Sequence, residues 1–150
     1  AYNSILRETC LDELRASRPE LARFAELFDA RSSVYVFRDT MGERYDIFAE
    51  EGVEQGDPLA PALFAYGISE ALRATCSHIE AFTASHGLPS ARLFAYLDDI
   101  IIVVHRDVAE HAFTVVAAEL YNRAGLALAH DKTQVWFADG AAPPGSSAHV

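Results

Sequence analysis

Asp98 and Asp99 are adjacent carboxylates between two short apolar runs, Leu93 to Leu97 and Ile100 to Val104. If both runs are strands that bury their flanks, the hairpin between them thrusts the two carboxylates out together at one exposed tip. Paired oxygen donors suit a hard cation such as Mg²⁺, which is usually held by one or two carboxylates plus water and substrate phosphates. The pair is then half of a metal site. Aspartates also make turns on their own account, because they tolerate left-handed backbone and hydrogen-bond neighbouring amides.

A second candidate is Gly52-Val53-Glu54-Gln55-Gly56-Asp57-Pro58-Leu59-Ala60-Pro61, with two glycines and two prolines just ahead of a long apolar segment. That composition shapes the backbone tightly, and Gly56 leaves room for something to lie against the turn. Gln55 offers a donor and an acceptor, which suits a base edge or a sugar hydroxyl as well as it suits stabilising the turn itself.

Tyr96-Leu97-Asp98-Asp99 resembles the Y-x-D-D signature of reverse transcriptases. The 52–61 segment resembles their G-V-x-Q-G-x-P-L-S-P motif, especially in non-LTR retrotransposons, and Leu63-Phe64 continues the likeness. Ala60 stands where that family usually has serine, implying relaxed helix capping, and Glu54 stands where a basic residue is common. Gly125-Leu126 followed by Lys132-Thr133 resembles the later palm motif, and Lys132 is the only lysine of the chain. Ala1-Tyr2-Asn3 resembles the end of the first catalytic motif, D-x-x-x-A-[FY]-N, whose aspartate would fall upstream of Ala1. The likeness extends over nearly all of Ala1 to Phe137, with the motifs in order.

The resemblance implies an α+β fold: a polymerase palm with an antiparallel sheet backed by helices, part of the fingers and no thumb. It implies dNTP addition to a primer 3′-hydroxyl on an RNA or DNA template by two-metal phosphoryl transfer, with two Mg²⁺ ions and Mn²⁺ as a substitute. In that scheme Asp98 is a shared metal ligand and Asp99 an auxiliary one. Gln55, Gly56 and Pro58 belong to the nucleotide and template pocket, and Tyr96 heads the acidic signature. Tyr2 is the gate against a ribose 2′-hydroxyl, and Lys132 lies near the leaving pyrophosphate. The implied partners are RNA template, DNA primer, dNTPs, and the remaining fingers, thumb and endonuclease domains of the same polyprotein. Alone, such a fragment is expected to be inactive. A retrotransposon relic or domesticated palm serving as a binding or scaffold domain is the alternative, favoured by Glu54 and the acidic charge. An RNA-dependent RNA polymerase palm fits less well, because Tyr2 would obstruct the ribose.

The elements that must position these residues are legible from periodicity. Ile5, Leu6, Cys10, Leu11 and Leu14 recur at helical spacing over 4–16, and Pro19 opens a second helix through Phe28. Ser33 to Arg38 and Arg44 to Ala49 read as a hairpin around Met41-Gly42, and Leu63 to Ser85 as a long helix stopped by Gly87 and Pro89. Asp107 with Glu110 resembles a capping box for a helix in which Glu110, His111 and Thr114 face away from the core, ended by Gly125. Gln134 to Ala138 reads as a last strand. The chain divides into a palm portion at 1–138 and a Gly, Pro, Ala and Ser tail at 139–150.

The chain has 150 residues, 51% hydrophobic and 23% charged, which excludes wholesale disorder. No uninterrupted apolar run approaches the roughly 20 residues of a membrane span. Twelve Lys plus Arg against 22 Asp plus Glu give a charge of −10, which disfavours a free-standing nucleic-acid module. In the polymerase reading, basic fingers and thumb carry the phosphate contacts. Cys10 and Cys76 match neither a metal pair nor a disulfide scaffold, and the six histidines show no ligand spacing, so they are read as ordinary surface or helix residues.

Overall fold

The computed structural model describes residues 2–54 and 56–137 and is a mixture of helices and small antiparallel sheets. The chain forms two compact units that meet in sequence between Ile68 and Ser69.

The first unit opens on a 3-10 turn, Tyr2–Ser4, and helix α1, Arg7–Ser17. The helix starts later than its apolar periodicity suggests, because Leu6 is extended (φ −64°, ψ 114°) while Ile5 is fully buried. Arg18 breaks the helical path, and Pro19 begins α2, Pro19–Asp29, at the position where its missing N–H costs nothing. Strands β1, Ser33–Arg38, and β2, Arg44–Ala49, pair antiparallel from Ser33 opposite Ala49 to Arg38 opposite Arg44. Asp39 fixes their loop: its Oδ1 accepts from the N–H groups of Met41 and Glu43, each at 2.9 Å. The core of this unit includes Ile5, Cys10, Leu11, Leu14, Leu63 and Phe64.

Helix α3, Ala60–Ser85, runs from the first unit into the second. There follow β3, Arg92–Tyr96, and β4, Asp99–Val103, then a 3-10 turn, Arg106–Val108, and α4, Ala109–Ala124. Ile79, Ala91, Val108 and Ala112 form the second core, with Phe82, Leu88, Ile102, Val104 and Val115 packed on it. Helix α4 closes on Gly125 in the left-handed region (φ 68°), as its sequence predicts, and Leu126 behind it is buried. No helix of the described residues is long and apolar enough to cross a membrane.

Four expectations are corrected. The Asp107 capping box does not form: His105 precedes a 3-10 turn, and its Nδ1 accepts from the Asp107 N–H at 3.4 Å. His111 does not face away from the core, because its ring stacks on Phe82 at 4.0 Å, as His86 does at 4.1 Å. No strand forms over 134–137, where Val135 and Trp136 are exposed with no strand beside them; residue 138 and the expected tail lie outside the described residues. The two apolar runs flanking the acidic pair are not buried as expected: Leu93, Ile100 and Ile102 are half-buried, whereas Phe94, Tyr96 and Ile101 are exposed.

Candidate functional site

Tyr96 pairs with Asp99 across β3 and β4, so only Leu97 and Asp98 remain to make the turn. A two-residue hairpin loop that follows the twist of its strands needs a positive φ at its first central position, normally supplied by glycine. Leu97 supplies it here, at φ 55°, and is the one described non-glycine residue with a positive φ. A branched side chain in that region carries strain. The two aspartates are therefore not equivalent. Asp98 stands in the turn, and Asp99 opens β4 on the face it shares with Tyr96, Phe94 and Ile101. Both are exposed.

These two carboxylates fit a hard divalent cation in chemistry but not yet in number. Among the described residues no group of three His, Cys, Asp or Glu side chains could hold a metal ion. Lys132 belongs to the same unit, is exposed, and sits in a turn where its N–H and that of Thr133 both donate to the Ala129 carbonyl at 3.0 Å. The structure gives no contact between Lys132 and either aspartate.

The glycine-rich turn lies in the first unit and is built from its start. Gly52 (φ 80°) donates to the Ile5 carbonyl at 2.9 Å, and a Cβ on it would meet the Asn3 backbone at 2.5–2.7 Å, so only glycine fits. Val53 is buried. Interaction with the Glu54 carboxylate pushes the Tyr35 phenol up from its ordinary value. The acidic residue that departs from the family pattern is thus tied to β1. Gly56 (φ 97°) has no atom within 4 Å of where a Cβ would stand, so it is the open point of the turn. Asp57 Oδ1 accepts from the Leu59 N–H at 2.7 Å, which places a capping carboxylate ahead of α3 where Ala60 offers no side-chain acceptor. Pro58 is exposed beside it. Gln55 and the side chain of Tyr2 lie outside the described residues.

Two residues of this unit escape the motif reading. Arg7, 7% exposed, directs its guanidinium to three carbonyls: Nε to Gly52 at 3.0 Å, Nη1 to Arg31 at 2.8 Å and Nη2 to Ala49 at 3.3 Å. Its own N–H donates to Glu51 Oε2 at 3.1 Å, so a carboxylate from elsewhere caps α1. The signal was present in the spacing, since Arg7, Leu11 and Leu14 stand at i, i+4 and i+7 on the buried stripe. Asp29, 8% exposed, ends α2 with a buried Oδ2 that has no hydrogen-bond partner. Burial raises its pKa, the Arg7 charge opposes the rise, and Asp57 and Glu54 add to it. Clefts of about 310 and 500 Å³ both include Arg7, Glu50 and Glu51 in their walls.

The described residues form a mixed α and β chain whose second unit carries two adjacent exposed carboxylates at a hairpin turn. Residues 7–145 match the family model of the reverse transcriptase (RNA-dependent DNA polymerase), and the chain belongs to that family. No curated protein and no solved structure matches it.

Proposed function

We propose that the chain is the palm, with part of the fingers, of a non-LTR-retrotransposon-type reverse transcriptase, spanning 1–138 with 139–150 as a linker. The observation that carries this reading is the β3–β4 turn, where Leu97 accepts a left-handed backbone (φ 55°) immediately before Asp98. Strain of that kind persists where the surrounding structure has a use for the geometry.

In this reading Asp98 and Asp99 would hold Mg²⁺ together with a further carboxylate, and the ion would supply a lowered pKa for the primer 3′-hydroxyl and charge balance for the departing pyrophosphate. Tyr96 and Leu97 fix the height and direction of the acidic tip. Lys132 brings an ammonium to the pyrophosphate side. In the first unit, Gly56 gives the nucleotide and template strand an unobstructed backbone, Gln55 reads a base edge or sugar, Pro58 stiffens the approach to α3, and Tyr2 rejects a ribose. The substrates are dNTPs, with an RNA template and a DNA primer.

The test is primer extension by the protein expressed in its full reading frame, with dNTPs, Mg²⁺ and a DNA-primed RNA template. Extension is expected, with a loss of about a hundred- to a thousandfold in Asp98→Asn, the scale on which a positioned charge contributes to a transition state. No extension, or extension indifferent to Asp98→Asn, would sink the reading and leave a binding or scaffold role.

A further inference from the structure

We infer that Arg7 is a positioning residue for the nucleotide, acting through the Gly52–Pro61 turn; this rests on the polymerase reading of that turn. The three carbonyls held by its guanidinium come from three separate places: Arg31 just before β1, Ala49 at the end of β2, and Gly52 at the start of the turn. One planar fork therefore closes the neck of the whole β1–β2 excursion and passes its position directly to the turn. Only a guanidinium does this, since an ammonium is a point charge that cannot reach three acceptors in divergent directions.

The start of the turn is held three ways. Gly52 receives the Arg7 Nε–H on its carbonyl, donates its own N–H to Ile5, and packs against the Asn3 backbone. Downstream, Val53 is buried, Glu54 is tied to Tyr35, and Asp57 caps the approach to α3. Gly56 stands between these anchors with open space around it. Its location is set by the fixed points on either side, and Arg7 is the fixed point that links the turn to the hairpin neck. A charged group this buried is costly unless its donors are all well placed, so the fork and the turn hold one another in register.

The experiment uses the full chain with two variants that disturb the turn by different routes. Arg7→Lys keeps the charge and loses the fork; Gly52→Ala forces a Cβ onto the Asn3 backbone. Amide hydrogen exchange is compared over 52–59 and over 109–124, and binding of fluorescently labelled dATP with Mg²⁺ is titrated. In both variants, exchange over 52–59 is expected to quicken about tenfold, exchange over 109–124 to stay unchanged, and dATP affinity to fall about tenfold, as for loss of a charged hydrogen bond. Unchanged exchange over 52–59, or equal acceleration over 109–124, overturns the assignment of Arg7 whatever the nucleotide does. Faster exchange over 52–59 with dATP binding unaltered, or with no binding by the parent chain, also overturns it, by a different failure. The turn is then not a nucleotide turn, and the polymerase reading of it falls while the clamp itself stands.

Discussion

Gly67 lies so close to Cys10 that a Cβ at position 67 would stand 2.5 Å from the Cys10 sulfur and 2.6 Å from Ile5 Cδ1. A glycine in the middle of a 26-residue helix normally weakens it by about 1 kcal/mol relative to alanine. Here it lets α1 and α3 approach within the first unit. Overpacking costs about 1–3 kcal/mol, which exceeds the helical gain, so Gly67→Ala is expected to destabilise the chain by about 1 kcal/mol in urea unfolding. Combined with Cys10→Ala, which removes the sulfur, the loss should be smaller than the sum of the two single changes. Strict additivity would show that the contact does not limit the packing.

The strain assigned to Leu97 is measurable against its neighbour in the same hairpin. Leaving the left-handed region relieves about 1–2 kcal/mol for a residue with a Cβ. Glycine gives back about 0.5–1 kcal/mol in chain entropy, and the half-buried side chain about 1 kcal/mol. Leu97→Gly should therefore be close to neutral. Leu93→Gly, at a half-buried position in regular strand, lacks the relief and should cost about 2 kcal/mol. Equal losses from the two changes in urea unfolding would remove the strain argument.

The elements around these sites were largely readable in advance. Pro19, the β-branched and aromatic runs at 33–38 and 44–49, and Gly125 each determine their structure locally, and the elements stand where those residues place them. What could not be read depends on distant partners. The capping role of Asp107 was lost to the His105 ring, two residues away. A strand at 134–137 needs a neighbour to pair with, and among the described residues the β3–β4 sheet has two strands, neither paired with it. The acidic tip was legible as a pair of carboxylates, but not as a turn resting on a left-handed leucine. The spacing puts Arg7 on the buried stripe of its helix, but its three carbonyl partners lie 24 to 45 residues away, and no local pattern names them.

The two thiols should differ in reactivity. Burial pushes Cys10 up to about 12, with Asp29 adding to the rise, whereas Cys76 is half-buried and raised chiefly by burial. Cys10 is therefore held as the thiol at pH 8, and the thiolate is the reactive form. A disulfide reagent on the native chain is expected to modify Cys76 slowly and Cys10 only through unfolding, with both reacting rapidly in concentrated urea. Native-state labelling of Cys10 at the rate of Cys76 would contradict its burial.

Asp29 makes the first unit sensitive to pH in the direction opposite to most carboxylates. Its Oδ2 is buried without a partner, it closes α2 at the negative end of the helix dipole, and Asp57 and Glu54 repel its charge more than they would in the unfolded chain. Arg7 offsets only part of this, so the folded pKa lies above the ordinary 3.8. With the folded value raised, the stability from Asp29 is fully present below the unfolded value and is lost as pH rises through the folded one. Other acids that gain partners on folding slope the opposite way, so the informative quantity is the difference between the parent chain and Asp29→Asn at each pH. Relative to Asp29→Asn, the parent should lose stability as pH climbs above about 4 and then level off. At neutral pH Asp29→Asn should be the more stable by about 1 kcal/mol, the usual cost of an unsatisfied buried acceptor. A difference that is flat across this range, or that grows in favour of the parent chain, would show that Arg7 pairs with Asp29 fully and that the orphaned oxygen has found a donor.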